Sequence, residues 1–403
     1  MTSTTLTQPS RPTQSWYARP SARSWTAVPT QGPSPRDFHA QLPGYAPTRL
    51  VEVPALAAEL GVDRLFVKDE SSRLGLPAFK ILGASWAIYR ALSEHHGIEP
   101  DSFEALRHQL ATRVATARAG DRSADCTADR TADQSAVRLV TATDGNHGRA
   151  VARMAALLGL AAHVFVPEGV HPAARAAIEA EGATVTDVPG PYDEAVRIAS
   201  ESGGLLVQDT AWPGYERIPQ WIVDGYSTLF AEIDDQLRAA GAEPAGLVAV
   251  PVGVGSLAQA AITHYRRGQD HADAPTVLAV EPDTAAGVLR SLEHGTPVTV
   301  PSGSTIMAGL NCPTPSSLAW PYLVGGLDAA VTVTDQDAAD AARELAALGV
   351  PAGPCGAASL AGVRAALTSG RPDRRAGLAP HHARTVVLLS TEGAEANPAL
   401  ADA

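Results

Sequence analysis

The segment from Arg138 to Pro167 reads "RLVTATDGNHGRAVARMAALLGLAAHVFVP" and alternates an apolar run, a helical pattern and a second apolar run. Similar apolar runs recur as "ATVTDVPG", "LLVQDTAW", "LVAVPVGVG", "TVLAVEPD" and "TVVLLSTEG". Continuous apolar strands that alternate with helices indicate right-handed crossovers and parallel sheets covered on both faces. The sequence therefore predicts an α/β protein with two domains. In the first helical pattern one face is formed by Val151, Met154, Ala155 and Leu158.

Composition limits the classes of function. The chain has 403 residues, of which 45% are hydrophobic, enough for a packed interior. It contains no apolar stretch of the roughly 18 residues that span a bilayer and no secretory signal, so we expect a cytoplasmic protein. The net charge of -12 argues against nucleic acid or an anionic membrane as a partner. The cysteines Cys126, Cys312 and Cys355 lie far apart, so we expect neither a disulfide framework nor a metal site.

Two segments have an unusual composition. Residues 1–35 are rich in Thr, Ser, Pro and Gln, which predicts a mobile tail. The alternative is that Trp16, Tyr17 and Trp25 pin this tail onto the folded body or onto a partner subunit. The segment "ATARAGDRSADCTADRTADQSA", residues 115–136, contains near repeats and predicts a flexible surface insertion.

Four loops follow apolar runs, at the strand ends where ligands bind in parallel sheets. The loop "GVGSL", Gly253 to Leu257, leads into a helical pattern, so its backbone N–H groups could cradle a phosphate, with a hydroxyl from Ser256. The alternative is an ordinary tight turn. The other three are "TDGNHG" (residues 143–148), "QDTAW" (residues 208–212) and "STEG" (residues 390–393).

The segment "KDESSRLGLPAFKILGAS" places Lys80 between Phe79 and Ile81, just before another helical pattern. Burial and a helix N-terminus both lower the pKa of an amine, and a lysine with a lowered pKa is a nucleophile toward carbonyl groups. The alternative is a lysine whose stem covers apolar surface while its amine reaches water. A nucleophilic lysine, a phosphate cradle and polar strand ends together satisfy the requirements of pyridoxal phosphate.

The ordered motifs extend this interpretation over most of the chain. They are "GYAPTRL", "VKDESSRLGLPAFKILGAS", "TATDGNHGR", "VQDTAWPGYERIPQWIVDGY", "GVGSLA", "EPDTA", "TIMAGLNCPTPSSLAWPYL" and "LLSTEG". With these motifs the chain resembles the fold type II pyridoxal phosphate enzymes, the tryptophan synthase β-like group, from about Arg36 to Gly393. Within that group it is similar to the diaminopropionate ammonia-lyases.

The resemblance implies a site for pyridoxal 5'-phosphate. Lys80, with Phe79 beside it, would form the Schiff base, and Asn146 would contact the phenolic oxygen of the cofactor. Thr391, or as a second choice Ser390, would face the pyridine nitrogen. The phosphate would lie on Gly253, Val254, Gly255, Ser256 and Leu257.

The resemblance also implies the reaction. Asp144 and Asp209 would take the Cα proton from opposite faces, so that both enantiomers of 2,3-diaminopropionate react. A partly desolvated carboxylate with a raised pKa suits such a base, although a strand-end Asp more commonly bonds loop amides. Elimination of the β-amine would leave aminoacrylate, which is hydrolysed to pyruvate and a second ammonia.

For the architecture, the resemblance implies a large domain from residues 36–85 and 205–403. Residues 86–204 would form a smaller mobile domain with the insertion at about 112–137, and the protein would be a homodimer.

One loop departs from the family pattern. "PAGPCGAAS", residues 351–359, has Pro354 and Cys355 where the ammonia-lyases carry Glu and Ser in "SGESGA". This favours, as an alternative, β-elimination or β-replacement on another β-substituted amino acid in specialised biosynthesis. A non-catalytic small-molecule binding protein is the third interpretation.

Overall fold

A computed structural model describes residues 14–28, 32–121, 137–267, 274–367, 372–378 and 383–397. The described residues form two sheets, with helices on both faces of each, as the alternation of apolar runs and helical patterns predicts. No helix in these ranges is long and apolar enough to cross a membrane. The strands are β1 (Trp16–Ala18), β2 (Leu50–Glu52), β3 (Arg64–Asp69), β4 (Arg138–Ala142), β5 (Ala161–Pro167), β6 (Thr184–Val188), β7 (Leu205–Leu206), β8 (Leu247–Pro251), β9 (Thr276–Pro282), β10 (Ala329–Val333) and β11 (Thr385–Ser390).

The larger sheet has the strand order β1-β10-β9-β8-β11-β3-β2. Neighbours from β10 through β3 pair in parallel, whereas β1 and β2 are antiparallel edge strands. The smaller sheet has the order β6-β5-β4-β7, and all of its pairs are parallel. The prediction of parallel-rich sheets in an α/β protein is therefore confirmed.

Helices cover these sheets and connect them. Helix α3 packs against both α8 and α5, and its buried face joins side chains from both sheets in one continuous apolar core. On the other face of the larger sheet, α14 packs against β8 to β11. The helices are α1 (Pro35–His39), α2 (Pro54–Leu60), α3 (Lys80–His96), α4 (Phe103–Asp121), α5 (Asn146–Leu158), α6 (Pro172–Ala180), α7 (Tyr192–Glu201), α8 (Arg217–Gly225), α9 (Ser227–Ala239), α10 (Ser256–Tyr265), α11 (Gly287–His294), α12 (Trp320–Gly326), α13 (Asp335–Ala347), α14 (Pro354–Leu367) and α15 (Pro372–Ala376), with short 3-10 helices at Pro20–Ser24, Ala308–Leu310 and Ala394–Ala396.

Helix α5 shows how the local sequence sets these elements. It ends at Gly159, whose φ of 70° is the left-handed conformation that glycine adopts without steric cost. Its predicted apolar face is buried and packs against β4, β5 and α3. Since α5 begins directly after β4, the polar loop "TDGNHG" lies at the carboxyl end of that strand.

The N-terminal segment differs from its prediction. Residues 14–28 are not a mobile tail, because β1 pairs with β10 at the edge of the larger sheet. The ring of Trp25 packs edge-on against Tyr322 and closely over Gly325 and Gly326 of α12. The aromatic side chains thus hold this segment on the body, as the alternative interpretation states. Residues 1–13 lie outside the described residues.

The predicted domain limits also need adjustment. Strand β7 pairs with β4 in the smaller sheet, so the boundary at residue 205 falls too early. Helix α3 continues without a break across the predicted boundary between residues 85 and 86. Of the predicted insertion at about 112–137, the first part belongs to α4, and residues 122–136 lie outside the described residues.

Candidate active site

The four polar loops converge in one cleft between the two sheets. Two of them, "TDGNHG" and "QDTAW", follow β4 and β7 of the smaller sheet, and the other two, "GVGSL" and "STEG", follow β8 and β11 of the larger sheet. Lys80 is the first residue of α3 and also lies in this cleft. A direct contact joins the two sides, because Asn146 Nδ2 donates a hydrogen bond of 3.0 Å to Glu392 Oε2.

Lys80 is the lysine whose amine is accessible in the cleft. The sequence contains two lysines, and the other, Lys68, is fully buried in ion pairs. The Lys80 side chain is 31% exposed, and its Nζ donates a hydrogen bond of 2.9 Å to Asp209 Oδ2. Burial is the largest single effect on the pKa of Lys80 and lowers it. The Asp209 carboxylate, together with Tyr226 and Asp144, raises it by more in sum, to well above the usual value. The prediction of a lowered pKa is wrong, because it did not include these groups.

Asp209 receives two contacts on the same carboxylate oxygen. Besides the Lys80 amine, His147 Nδ1 lies 3.8 Å from Oδ2. Burial raises the pKa of Asp209, but His147, when charged, and the Lys80 ammonium lower it by more, so that it falls well below its usual value. The expectation of a raised pKa is therefore wrong for Asp209, which stays a carboxylate at neutral pH.

Asp144 has a different environment from Asp209. Its side chain is exposed in the cleft, and no ion pair joins it to Lys80 among the described residues. Enclosure by the cleft walls raises the pKa of Asp144, and the Lys80 ammonium only partly offsets this. The raised pKa expected of a catalytic base is thus found at Asp144.

The loop that carries Asp144 is held in one shape by Thr143. The Thr143 hydroxyl accepts hydrogen bonds from the backbone N–H groups of Gly145, at 3.0 Å, and Gly148, at 3.1 Å. A Cβ atom at Gly148 would lie 2.2 Å from Thr143 Cγ2, so a larger residue cannot fit there without displacing the loop. This packing fixes the backbone between Asp144 and Asn146.

The loop "GVGSL" forms the predicted strand-to-helix turn, and α10 begins at Ser256. Gly255 has a φ of 102°, and a Cβ atom there would lie 2.7 Å from Leu323 Cδ1. At Gly253 an added Cβ would lie 2.9 Å from Cys312 Sγ. The loop therefore needs glycine at both positions, and its N–H groups and the N-terminus of α10 form a place for an anion.

Residues at the end of β11 complete the cleft floor. Ser390 is fully buried, and its Oγ has no hydrogen-bond partner among the described residues. The next residue, Thr391, is also buried. On the side of Lys80, the ring of Phe79 packs on Tyr226 with 4.8 Å between centroids, and the Lys80 Nζ lies 5.8 Å from the Phe79 centroid.

The departure from the family pattern touches this cleft. Cys355 is buried at the start of α14, and its backbone N–H donates a hydrogen bond of 3.4 Å to Glu392 Oε1. Burial raises the pKa of the Cys355 thiol well above its usual value, as does the neighbouring Glu392 carboxylate. Cys355 is therefore a neutral thiol beside the carboxyl group that holds Asn146.

Comparisons with known proteins show the family to which this chain belongs. The model of the family "Pyridoxal-phosphate dependent enzyme" matches residues 41–390, and the chain belongs to that family. A diaminopropionate ammonia-lyase of Escherichia coli K12 is 35% identical over 376 residues, which cover 89% of this chain and 87% of that protein. A diaminopropionate ammonia-lyase of Salmonella typhimurium is 36% identical over 320 residues, which cover 77% of this chain and 74% of that protein.

A solved structure supports the same relationship. It is the Escherichia coli diaminopropionate ammonia-lyase in complex with an aminoacrylate-PLP azomethine reaction intermediate. That structure has a TM-score of 0.76 and 30% identity, and the match covers 95% of this chain and 94% of that chain. The predicted fold type II architecture and the cofactor, pyridoxal 5'-phosphate, are therefore confirmed.

The residues of the cleft fit this cofactor. A single accessible lysine provides an amine for the aldehyde, the "GVGSL" turn provides an anion site, and the buried Ser390 Oγ lacks a partner. Among the described residues, no group of three or more His, Cys, Asp or Glu side chains could hold a metal ion.

Sequence reasoning missed two side chains of the cleft, His147 and Glu392. Both lie inside the motifs "TDGNHG" and "STEG", so the motifs pointed to the right loops. The specific roles could not be read there, because the partners of these side chains, Asp209 and Asn146, are 62 and 246 residues away in the sequence.

Proposed function

We propose that this protein catalyses the α,β-elimination of 2,3-diaminopropionate, as the D or L enantiomer or both, to pyruvate and two ammonia. The observation that carries the proposal is the placement of Lys80 against Asp209, with Asp144 in the same cleft. Two carboxylates around one amine suit a substrate with a second amino group, because they attract its positive charge. The similarity to the ammonia-lyases supports the same substrate.

The cofactor would be held by residues from both sheets. We assign its attachment to Lys80 next to Phe79, its phosphate to Gly253–Leu257 at the start of α10, and its phenolic oxygen to Asn146. When bound, the cofactor withdraws electrons from the Cα atom of the substrate, so that a proton can leave Cα and the amine can leave Cβ.

The partner of the pyridine nitrogen is a hydroxyl group at the end of β11. We favour Ser390 over Thr391, since the buried Ser390 Oγ has no hydrogen-bond partner among the described residues. A buried hydroxyl without a partner loses the hydrogen bond that it would make in water, and a ring nitrogen would restore one. A neutral hydroxyl leaves that nitrogen largely unprotonated, which suits elimination more than transamination.

The two aspartates would take the Cα proton from opposite faces of the substrate. Asp144 is exposed in the cleft and has a raised pKa, which suits a group that takes and returns a proton. Asp209 is held as a carboxylate close to Lys80, where it orients the amine and can receive a proton from the other face.

The proposal is tested by measuring pyruvate and ammonia from the purified holoenzyme with D- and L-2,3-diaminopropionate, serine, O-acetylserine and larger β-substituted amino acids. We expect the highest kcat/KM with one or both diaminopropionate enantiomers and two ammonia for each pyruvate. A preference for another amino acid would overturn the substrate assignment.

A second candidate is β-elimination or β-replacement on another β-substituted amino acid. It is favoured by Cys355, which stands beside Glu392 where the ammonia-lyases carry a polar residue. The same substrate series distinguishes it, with a nucleophile added to detect replacement products. A protein that purified without colour and turned over none of these amino acids would support the non-catalytic interpretation.

The proposed assembly rests on the resemblance, and the proposed location rests on the sequence composition. We propose a cytoplasmic homodimer, for which light scattering should give a mass of twice the 41.7 kDa of one chain. A mass of one chain at micromolar concentration would contradict the dimer.

A further inference from the structure

The imidazole of His147 is buried between the carbonyl of Val207 and the Asp209 carboxylate, and it has no part in the reaction proposed for the two aspartates. Its residue is 3% exposed, and its Nε2 lies 2.8 Å from the carbonyl oxygen of Val207. A carbonyl oxygen only accepts, so Nε2 carries the hydrogen. In the neutral ring, Nδ1 therefore presents a lone pair, which faces Asp209 Oδ2 at 3.8 Å.

In the neutral ring, neither Nδ1 nor the Asp209 Oδ2 that it faces carries a hydrogen. Nδ1 is buried and has no hydrogen-bond partner among the described residues, and the atom that it faces is a carboxylate oxygen. A proton on either atom would convert the contact into a hydrogen bond after an approach of about 0.6 Å or more, to reach the usual limit of about 3.2 Å. The His147–Asp209 pair is thus built to take up a single proton.

The charged groups around the ring determine where that proton rests. Burial lowers the pKa of His147, the nearby Lys80 ammonium lowers it further, and the carboxylates of Asp209 and Asp144 raise it. The ring is accordingly neutral at pH 7. An imidazole has an ordinary pKa of about 6.5 and a carboxyl group one of about 4, and the Lys80 ammonium lowers that of Asp209 further, so a proton placed on Asp209 moves readily to the imidazole.

We infer that His147 is a positioning residue that acts through Asp209, by accepting at Nδ1 the proton that Asp209 removes from the substrate. The transfer breaks the O–H bond at Oδ2 and forms an N–H bond at Nδ1, which leaves an imidazolium beside a restored carboxylate. The proton returns by the same atoms when the site resets. This inference rests on the proposed function, in which Asp209 serves one face of the substrate.

The variant His147→Gln tests this role. The glutamine amide can still donate to the carbonyl of Val207, but it has no nitrogen that titrates. Asp209→Asn first identifies the enantiomer that depends on Asp209. We expect His147→Gln to lower kcat/KM for that enantiomer roughly tenfold or more, which is less than the ~10²–10⁴ of a direct acid–base group because His147 acts through Asp209. The other enantiomer should change by less than about threefold, because its proton is not taken by Asp209.

A matched control is a histidine on β5, the strand that follows the helix of His147. His163→Gln removes another imidazole, one that contacts Thr186 in the smaller sheet at 2.8 Å. It should affect both enantiomers equally. Equal loss of both with His147→Gln would show a purely structural role and overturn the inference.

A second readout does not depend on turnover. In holoenzyme with ¹⁵N-labelled histidine, the His147 signals are those missing from His147→Gln. We expect a neutral ring with hydrogen on Nε2, and a lower pKa of that ring in Asp209→Asn, because the carboxylate that favours its charged form is gone. An unchanged titration in Asp209→Asn would overturn the pairing. If neither diaminopropionate enantiomer reacts, the proposed function fails, and the titration still decides whether His147 and Asp209 share a proton.

Discussion

The guanidinium of Arg73 donates two hydrogen bonds of 2.7 Å to the carboxylate of Glu232, and both side chains are completely buried. Lys68 donates to the same carboxylate at 2.7 Å, and Glu70 accepts from Arg73 at 2.7 Å. Lys68, Glu70 and Arg73 belong to the segment that leads to Lys80, whereas Glu232 lies on α9. The cluster thus ties that segment to the body of the larger sheet.

Replacing Glu232 by Gln should destabilise the protein by about 3–5 kcal/mol, because it leaves the buried charges of Arg73 and Lys68 without their partner. Thermal unfolding of the holoenzyme measures the effect. The control is Glu104→Gln, which removes an exposed partner of Arg107 on α4 and should change stability by less than about 0.5 kcal/mol. Equal effects of the two substitutions would contradict the stabilising role of the buried cluster.

The Glu232 carboxylate should also make the free energy of unfolding depend on pH. Burial raises the pKa of Glu232, but Arg73 and Lys68 lower it by more, to about 2. A group with a lowered pKa stabilises the folded state fully above the unfolded value of about 4.3, and that stabilisation is lost as pH falls toward the folded value. The stability difference between the wild type and Glu232→Gln should therefore shrink from pH 6 to pH 3, as chemical unfolding at each pH would show. A constant difference would contradict the lowered pKa.

Most of the fold could be predicted from the sequence because its strands are strongly apolar. The runs that became β4, β5, β8, β9 and β11 are buried on both faces, so each stands out as a continuous apolar segment. Strand β1 could not be found in this way. It has three partly exposed residues in a polar segment, and its partner β10 is more than 300 residues away.

The sequence predicted which loops form the candidate site, but it did not predict the direction of the pKa shifts at Lys80 and Asp209. Lys80 stood out as a cation after apolar residues, and the glycines of "GVGSL" indicated a close approach of backbone. The sign of the pKa shift at Lys80 depended on Asp209, which is 129 residues away. The local sequence places a lysine next to apolar residues, but the fold determines which charged groups lie near its amine.

Gly255→Ala should weaken cofactor binding at least tenfold. A φ of 102° is strained for alanine, and its Cβ would lie 2.7 Å from Leu323 Cδ1, so the turn must change shape. Titration of the apoprotein with pyridoxal 5'-phosphate, followed by visible absorbance, measures the Kd. The control Gly303→Ala adds a Cβ with 3.7 Å to its nearest neighbour and should leave the Kd unchanged. An unchanged Kd in Gly255→Ala would remove the turn from the phosphate site.

Lys80→Ala should abolish turnover and the visible absorbance of the bound cofactor. Because the sequence has two lysines and Lys68 is buried in ion pairs, borohydride reduction of the wild-type holoenzyme should fix the cofactor on the peptide that contains Lys80. Peptide mass mapping measures this. Label on the Lys68 peptide, or turnover by Lys80→Ala, would contradict the assignment.

Asp144→Asn and Asp209→Asn should each impair one enantiomer of 2,3-diaminopropionate selectively, since the two carboxylates are proposed to serve opposite faces. Each selective loss should reach about 10²-fold or more, the scale of a lost general base. A base works only when deprotonated, and the pKa of Asp144 is raised, so activity on its enantiomer should fall with decreasing pH through a value above 3.8. That acidic limb should vanish from the residual activity of Asp144→Asn. Equal loss of both enantiomers in both variants would instead indicate that the two aspartates have a shared structural role.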